Sequence, residues 1–129
     1  MYGRLFIALV ATSVIITTGC IETRMTQIPD NAIIIDTQSR SGYEKNHLAC
    51  ATSLPWYDID RRRAKTVLSD KTRPVVVYDL TGDRIEAEKK QLEALGYESV
   101  YDGGSMYSLR RLIEEKQPGS VCSTFRKGL

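Results

Sequence analysis

One stretch, V-V-V-Y-D-L-T-G-D-R from Val75 to Arg84, limits what this chain can fold into more than any other. Val75 to Tyr78 are strand-forming and uncharged, as a strand buried on both faces of a sheet requires. Asp79 to Asp83 reads as a short loop, with Gly82 inside it. Arg84 opens a helix-like run, R-I-E-A-E-K-K-Q-L-E-A-L, which stops at Gly96, where a left-handed glycine ends a helix. A buried strand that hands a tight loop to a helix N-terminus builds a cradle. Backbone N–H groups of the loop and first helical turn converge there, and the helix dipole adds partial positive charge. Such a cradle suits a bound anion or an anionic nucleophile. The side chain at its mouth is Asp79, itself a carboxylate.

The flanking segments predict the sheet around this strand. Ala32 to Asp36 (A-I-I-I-D) is a continuous apolar run of the kind found in parallel sheets. Thr37 to Gly42 reads as a turn, Tyr43 to His47 as one helical turn, and Cys50 to Leu54 as a short strand closed by Pro55. Asp58 or Asp60 is placed to cap a helix carrying Ile59, Ala64, Val67 and Leu68 on one side. Glu98 to Tyr101 is a further strand, ending at Asp102-Gly103-Gly104. Met106, Leu109, Leu112 and Ile113 then recur at helical spacing up to Pro118-Gly119. Strands alternating with helices imply an α/β fold, a small and largely parallel central sheet flanked by helices. The domain spans 32–117, with 118–129 as a C-terminal tail.

The N-terminus reads as a processing segment. Arg4 precedes the uncharged run L-F-I-A-L-V-A-T-S-V-I-I-T-T-G-C, which ends on small residues ahead of Cys20. Thr17-Thr18-Gly19-Cys20 resembles a bacterial lipobox, although Thr17 stands where Leu is usual. Residues 1–19 are then a signal peptide and Cys20 the lipidated residue, with 20–31 as a short polar tether. An uncleaved anchor and simple cleavage are the alternatives. All three place the domain outside the cytoplasm, in the cell envelope, where a lipid anchor on Cys20 makes the bacterial membrane a partner and the domain faces the periplasm. Ile21 follows the cysteine in place of the Asp that retains such proteins at the inner membrane, which favours the outer one.

Charge and composition exclude several classes. Net charge is +2, from 18 basic and 16 acidic residues, so no basic field argues for nucleic acid. The run Arg61-Arg62-Arg63 reads as a solvated helix face beside Asp58 and Asp60. With one histidine and no CxxC or HExxH spacing, nothing supports a metal site or a cofactor.

Three blocks together resemble the rhodanese-like domain, in particular its short single-domain kind from bacterial envelopes. The first runs from Ile33 to Pro55, with Asp36 closing a strand, Tyr43 before Asn46-His47-Leu48, and Leu54-Pro55. The second is the opening stretch, matching the family's V-V-Y-C-x-x-G-x-R. The third is L-G-Y-E-S-V-Y-D-G-G, Leu95 to Gly104. The resemblance implies a rhodanese-like fold and a sulfurtransferase loop at Asp79, Leu80, Thr81, Gly82, Asp83 and Arg84. It also implies structural roles for Asp36 and His47.

Three departures stand out. Asn46 replaces a glycine, Gln38 stands where Arg is common, and Asp79 occupies the place of the cysteine whose thiolate takes up sulfur as a persulfide. A carboxylate forms no persulfide. Aimed into the N–H cradle, it would accept those hydrogen bonds itself, which favours its charged form. Asp83 adds negative charge at the same helix start, and Arg84 is placed to pair with either acid. A structural role for Asp79, a pocket for a cationic or amide group, and catalysis as a nucleophile all stay open. Cys50 and Cys122 are the cysteines left besides Cys20. Outside the cytoplasm two cysteines more often pair than react, while idle thiols and a relocated reactive thiol are the alternatives. The expectation is an inactive rhodanese-like protein that binds or scaffolds an envelope protein. The alternative is a sulfurtransferase or thiol enzyme working through Cys50 or Cys122.

Overall fold

A computed structural model describes residues 25–127. The signal segment, Cys20 and the first residues of the expected tether lie outside that range.

The central sheet has four strands, all parallel, in the order β3-β1-β4-β5. These are β1 (Ile33–Asp36), β3 (Thr52–Ser53), β4 (Val75–Asp79) and β5 (Val100–Ser105). β4 is buried along its whole length between β1 and β5, as its uncharged valines anticipate. Side chains alternate across the sheet. Val75 and Val77 join Ile35, Leu54, Ala64, Leu68, Ile85 and Leu92 in a core on one face. Val76 and Tyr78 join Ile34, Leu48, Met106, Leu109 and Ile113 on the other. The first face is covered by α2 (Arg61–Val67) and α3 (Ile85–Ala94), the second by α4 (Met106–Lys116). The expected α/β architecture with a parallel sheet between helices is the one observed.

Local departures have local causes. Residues read as a turn before Tyr43 form the start of α1 (Arg40–Lys45), because the Ser39 hydroxyl caps it by accepting from the Gly42 N–H. Asn46 ends α1 with φ −165°, extended backbone that needs no glycine. The strand expected over Cys50 to Leu54 shrinks to β3, since only Thr52 and Ser53 pair with β1. β5 runs on through Gly103 and Gly104, where a side chain on Gly103 would strike the Val77 carbonyl at 2.9 Å.

Both expected appendages carry packed residues. Met25 and Ile28, in the segment read as a tether, pack against the second core. The tail holds a 3-10 turn (Val121–Ser123) and β6 (Phe125–Arg126), which pairs antiparallel with β2 (His47–Leu48). A disulfide joins Cys50 to Cys122 across Cα atoms 4.8 Å apart, so neither sulfur is a free thiol.

Candidate functional site

The site sits at the C-terminal edge of the sheet, where β4 meets α3. Gly82 in the intervening loop has φ +87°, and a Cβ there would lie 3.0 Å from the Ser105 backbone nitrogen. The left-handed turn and the close approach to the end of β5 both require glycine. The loop is therefore pinned against β5 as it turns into the helix.

Asp79 is buried at the end of β4. Its Oδ1 accepts from the Thr81 N–H at 2.9 Å and from the Gly82 N–H. Both donors belong to the loop itself, and none comes from the first turn of α3. Its Oδ2 faces Arg84 Nε at 3.9 Å. Of the two acids that sequence offers to Arg84, the structure selects Asp79. Asp83 is exposed and makes no ion pair among the described residues. Arg84 is the residue preceding α3, half exposed, with its guanidinium carbon 5.1 Å from the centre of the exposed Trp56 ring. Leu80 is also exposed beside the mouth.

A third acid completes the site, and sequence reasoning missed it. Glu88 is 2% exposed. Its Oε2 accepts from the Thr37 hydroxyl at 2.5 Å, while Oε1 is buried with no hydrogen-bond partner and lies 3.8 Å from Arg84 Nε. Burial pushes its carboxyl up to about 7. The Thr37 hydrogen bond opposes this, the negative charge of Asp79 adds to it, Arg84 opposes it and Asp36 adds to it. The signal was present in the sequence. Ile85, Glu88 and Leu92 fall at i, i+3 and i+7, and all three are buried on α3. A charged residue on that apolar stripe marks a buried acid.

The other predicted positions have structural surroundings. Asp36 accepts from the Gln38 N–H at 2.8 Å through Oδ1 and from Gln38 Nε2 at 3.0 Å through Oδ2. The Tyr78 hydroxyl lies beside it as a further donor, while accepting from the Leu48 N–H at 3.0 Å. Burial still raises the Asp36 carboxyl above the usual range, against the hydrogen bonds from Tyr78 and Gln38 and the charge of His47. Gln38 Nε2 also reaches the Asn46 carbonyl at 3.2 Å, tying the strand end to the turn before β2. The His47 ring stacks on Tyr43 at 3.7 Å, and Nδ1 donates to the Tyr43 carbonyl at 2.7 Å. Cys50 and Cys122 lie together at the β2–β6 corner as a closed disulfide. Among the described residues, no cluster of three or more His, Cys, Asp or Glu is placed to hold a metal ion.

This geometry can hold a negative charge at the loop and pair it with a guanidinium. It presents no thiol at the loop for sulfur to be carried on.

Known proteins place the architecture. A tRNA sulfurtransferase from Thermoplasma acidophilum is 33% identical over 94 residues, which cover 73% of this chain and 18% of that protein. The chain therefore spans less than a fifth of that relative's length. A rhodanese from E. coli, solved with anions, superposes with a TM-score of 0.60 at 23% identity, over 75% of this chain and 99% of the other. A rhodanese-like domain from Anabaena sp. is 30% identical with a TM-score of 0.50, over 56% of this chain and 83% of its own. The model of the rhodanese-like domain matches residues 22–106. The chain belongs to the rhodanese-like domain family.

Proposed function

We propose that this protein is a membrane-tethered, extracytoplasmic rhodanese-like module. In this reading its loop carries no sulfur, and it acts by binding or scaffolding a protein partner in the bacterial envelope. The observation that carries the reading is the Asp79 carboxylate, which takes two of the loop's own N–H groups where the family's thiolate would sit. A carboxylate supplies neither the nucleophilic sulfur nor a persulfide, so donor sulfur has nowhere to go at this position. The Cys50–Cys122 disulfide adds support, because a relocated thiol would first need a reductant. Lipidation of Cys20 supplies the tether and belongs to the same proposal.

The test is thiosulfate-to-cyanide sulfur transfer by the full chain. No turnover above buffer is expected from the unaltered protein. Turnover that survives in a Cys50→Ser, Cys122→Ser double variant would refute the reading. Asp79→Cys is expected to raise turnover from nothing, since it returns a thiol to an otherwise matching loop. The tether is tested separately by detergent phase partitioning of cell extracts, where Cys20→Ser should move the protein into the aqueous phase.

A further inference from the structure

The Thr37 hydroxyl lies within hydrogen-bond distance of two acceptors, the Tyr78 carbonyl at 3.1 Å and Glu88 Oε2 at 2.5 Å. A hydroxyl has one hydrogen, so it cannot donate to both. When Glu88 is ionised, Thr37 donates to the carboxylate, and the Tyr78 carbonyl keeps the Thr37 backbone N–H at 2.9 Å. When Glu88 is protonated, the acid donates to the Thr37 oxygen, and Thr37 passes its own hydrogen to the Tyr78 carbonyl. The same heavy-atom positions satisfy either proton arrangement. On the other side of the carboxyl, Oε1 is buried with no hydrogen-bond partner. Arg84 Nε stands 3.8 Å from this oxygen and 3.9 Å from Asp79 Oδ2, bonded to neither. Two acids thus share one loosely held guanidinium, and the charge on Glu88 decides how strongly it is drawn in.

We propose that Glu88 is a proton switch for the loop mouth. Ionised, it joins Asp79 in holding Arg84 over the loop and against Trp56. Neutral, it turns its hydrogen to Thr37 and releases Arg84 toward solvent. The charges that act on Glu88 are Asp79 and Arg84 beside it and, from across the sheet, Asp36 at the end of β1. Burial, reinforced by the two aspartates, places its titration near neutrality. This device concerns the loop itself and stands whether or not the module binds an envelope protein.

Trp56 is the chain's single tryptophan, so its emission reports where Arg84 sits. Emission of the full chain, titrated between about pH 5 and pH 9, should change sigmoidally with a midpoint within about one unit of 7. The change should vanish in Glu88→Gln and in Arg84→Met. It should persist in His47→Gln, which removes the chain's only histidine. A flat trace in the unaltered protein, or an undiminished titration in Glu88→Gln, would overturn the proposal. Carboxyl-carbon NMR of Glu88 in the unsubstituted chain guards against a variant that folds poorly. A Glu88 midpoint below about 5.5 there would also overturn it.

Discussion

Asp36 and Asp79 end neighbouring parallel strands and begin with the same local motif. Each buried aspartate accepts, through Oδ1, the N–H of the residue two positions on, at 2.8 Å for Gln38 and 2.9 Å for Thr81. Their second oxygens differ. That of Asp36 is bonded by Gln38 Nε2 and flanked by the Tyr78 hydroxyl, on the sheet face that packs against α4. That of Asp79 has only a half-exposed guanidinium 3.9 Å away, on the face shared with α3 and Glu88. One strand end is a closed hydrogen-bond knot and the other is held by loose charge. A carboxylate at a strand end is therefore not informative by itself. What its second oxygen meets separates a structural acid from an adjustable one.

Asp36→Ala should break the closed end and have the largest effect. It strands the Gln38 donors and the Tyr78 hydroxyl in a buried place, for a loss of about 4 kcal/mol in urea unfolding. The open end should answer differently. The Glu88 carboxyl is raised from 4.5 to about 7 in the folded protein. Between those values the folded state keeps a proton that the unfolded state releases. Stability therefore falls as pH rises through that window and stays reduced above it. Glu88→Gln should abolish this slope. It should be near neutral at about pH 5 and stabilising at about pH 8, by at most about 3 kcal/mol. Equal unfolding midpoints for the two proteins at both pH values would erase the distinction between the ends. Asp79→Ala should cost less than Asp36→Ala, about 1 to 2 kcal/mol, because water can reach the Thr81 and Gly82 N–H groups that it abandons. Arg84→Met should change stability least, by about 0.5 kcal/mol or less, since the ion pairs are long and the side chain half exposed. A larger loss would show that Arg84 is a fixed part of the loop.

The strand–loop–helix unit was legible because its signals are local. Uncharged valines, a glycine that the turn requires, and Gly96 with φ +95° all act within a few residues of their cause. The parallel sheet followed from the alternation of such units. The partners of Asp79 were half legible. Donors from the loop can be foreseen, but the preference of Arg84 for Asp79 and Glu88 over Asp83 depends on which carboxylates face inward across the turn. Glu88 carried a periodicity signal that a charged residue type conceals. Thr37 lies 51 positions away and is brought to it only by the parallel pairing of β1 with β4. Gln38 stands in the sequence as a departure from the family pattern, yet its bridge from Asp36 to the Asn46 carbonyl exists only in three dimensions. Met25 and Ile28 sit in a polar stretch with no periodic pattern, so their packing against the second core has no one-dimensional mark.

The bond between Cys50 and Cys122 makes the chain a covalent ring with two arms. Its two ends are 72 positions apart, and the ring contains β3, α2, β4, the Asp79 loop, α3, β5 and α4, while β1, α1 and β2 lie on one arm. A protease that cuts a surface turn inside the ring would open it without separating the pieces, so the loop and its helix would stay tied to β3. A cut between β1 and Cys50 leaves the piece that carries β1 with no covalent link to the rest, held by its packing alone. Single cleavages of equal exposure thus differ in whether they can dismantle the protein. Under oxidising conditions the loop-bearing half is the part that survives a nick, and reduction removes that protection in one step.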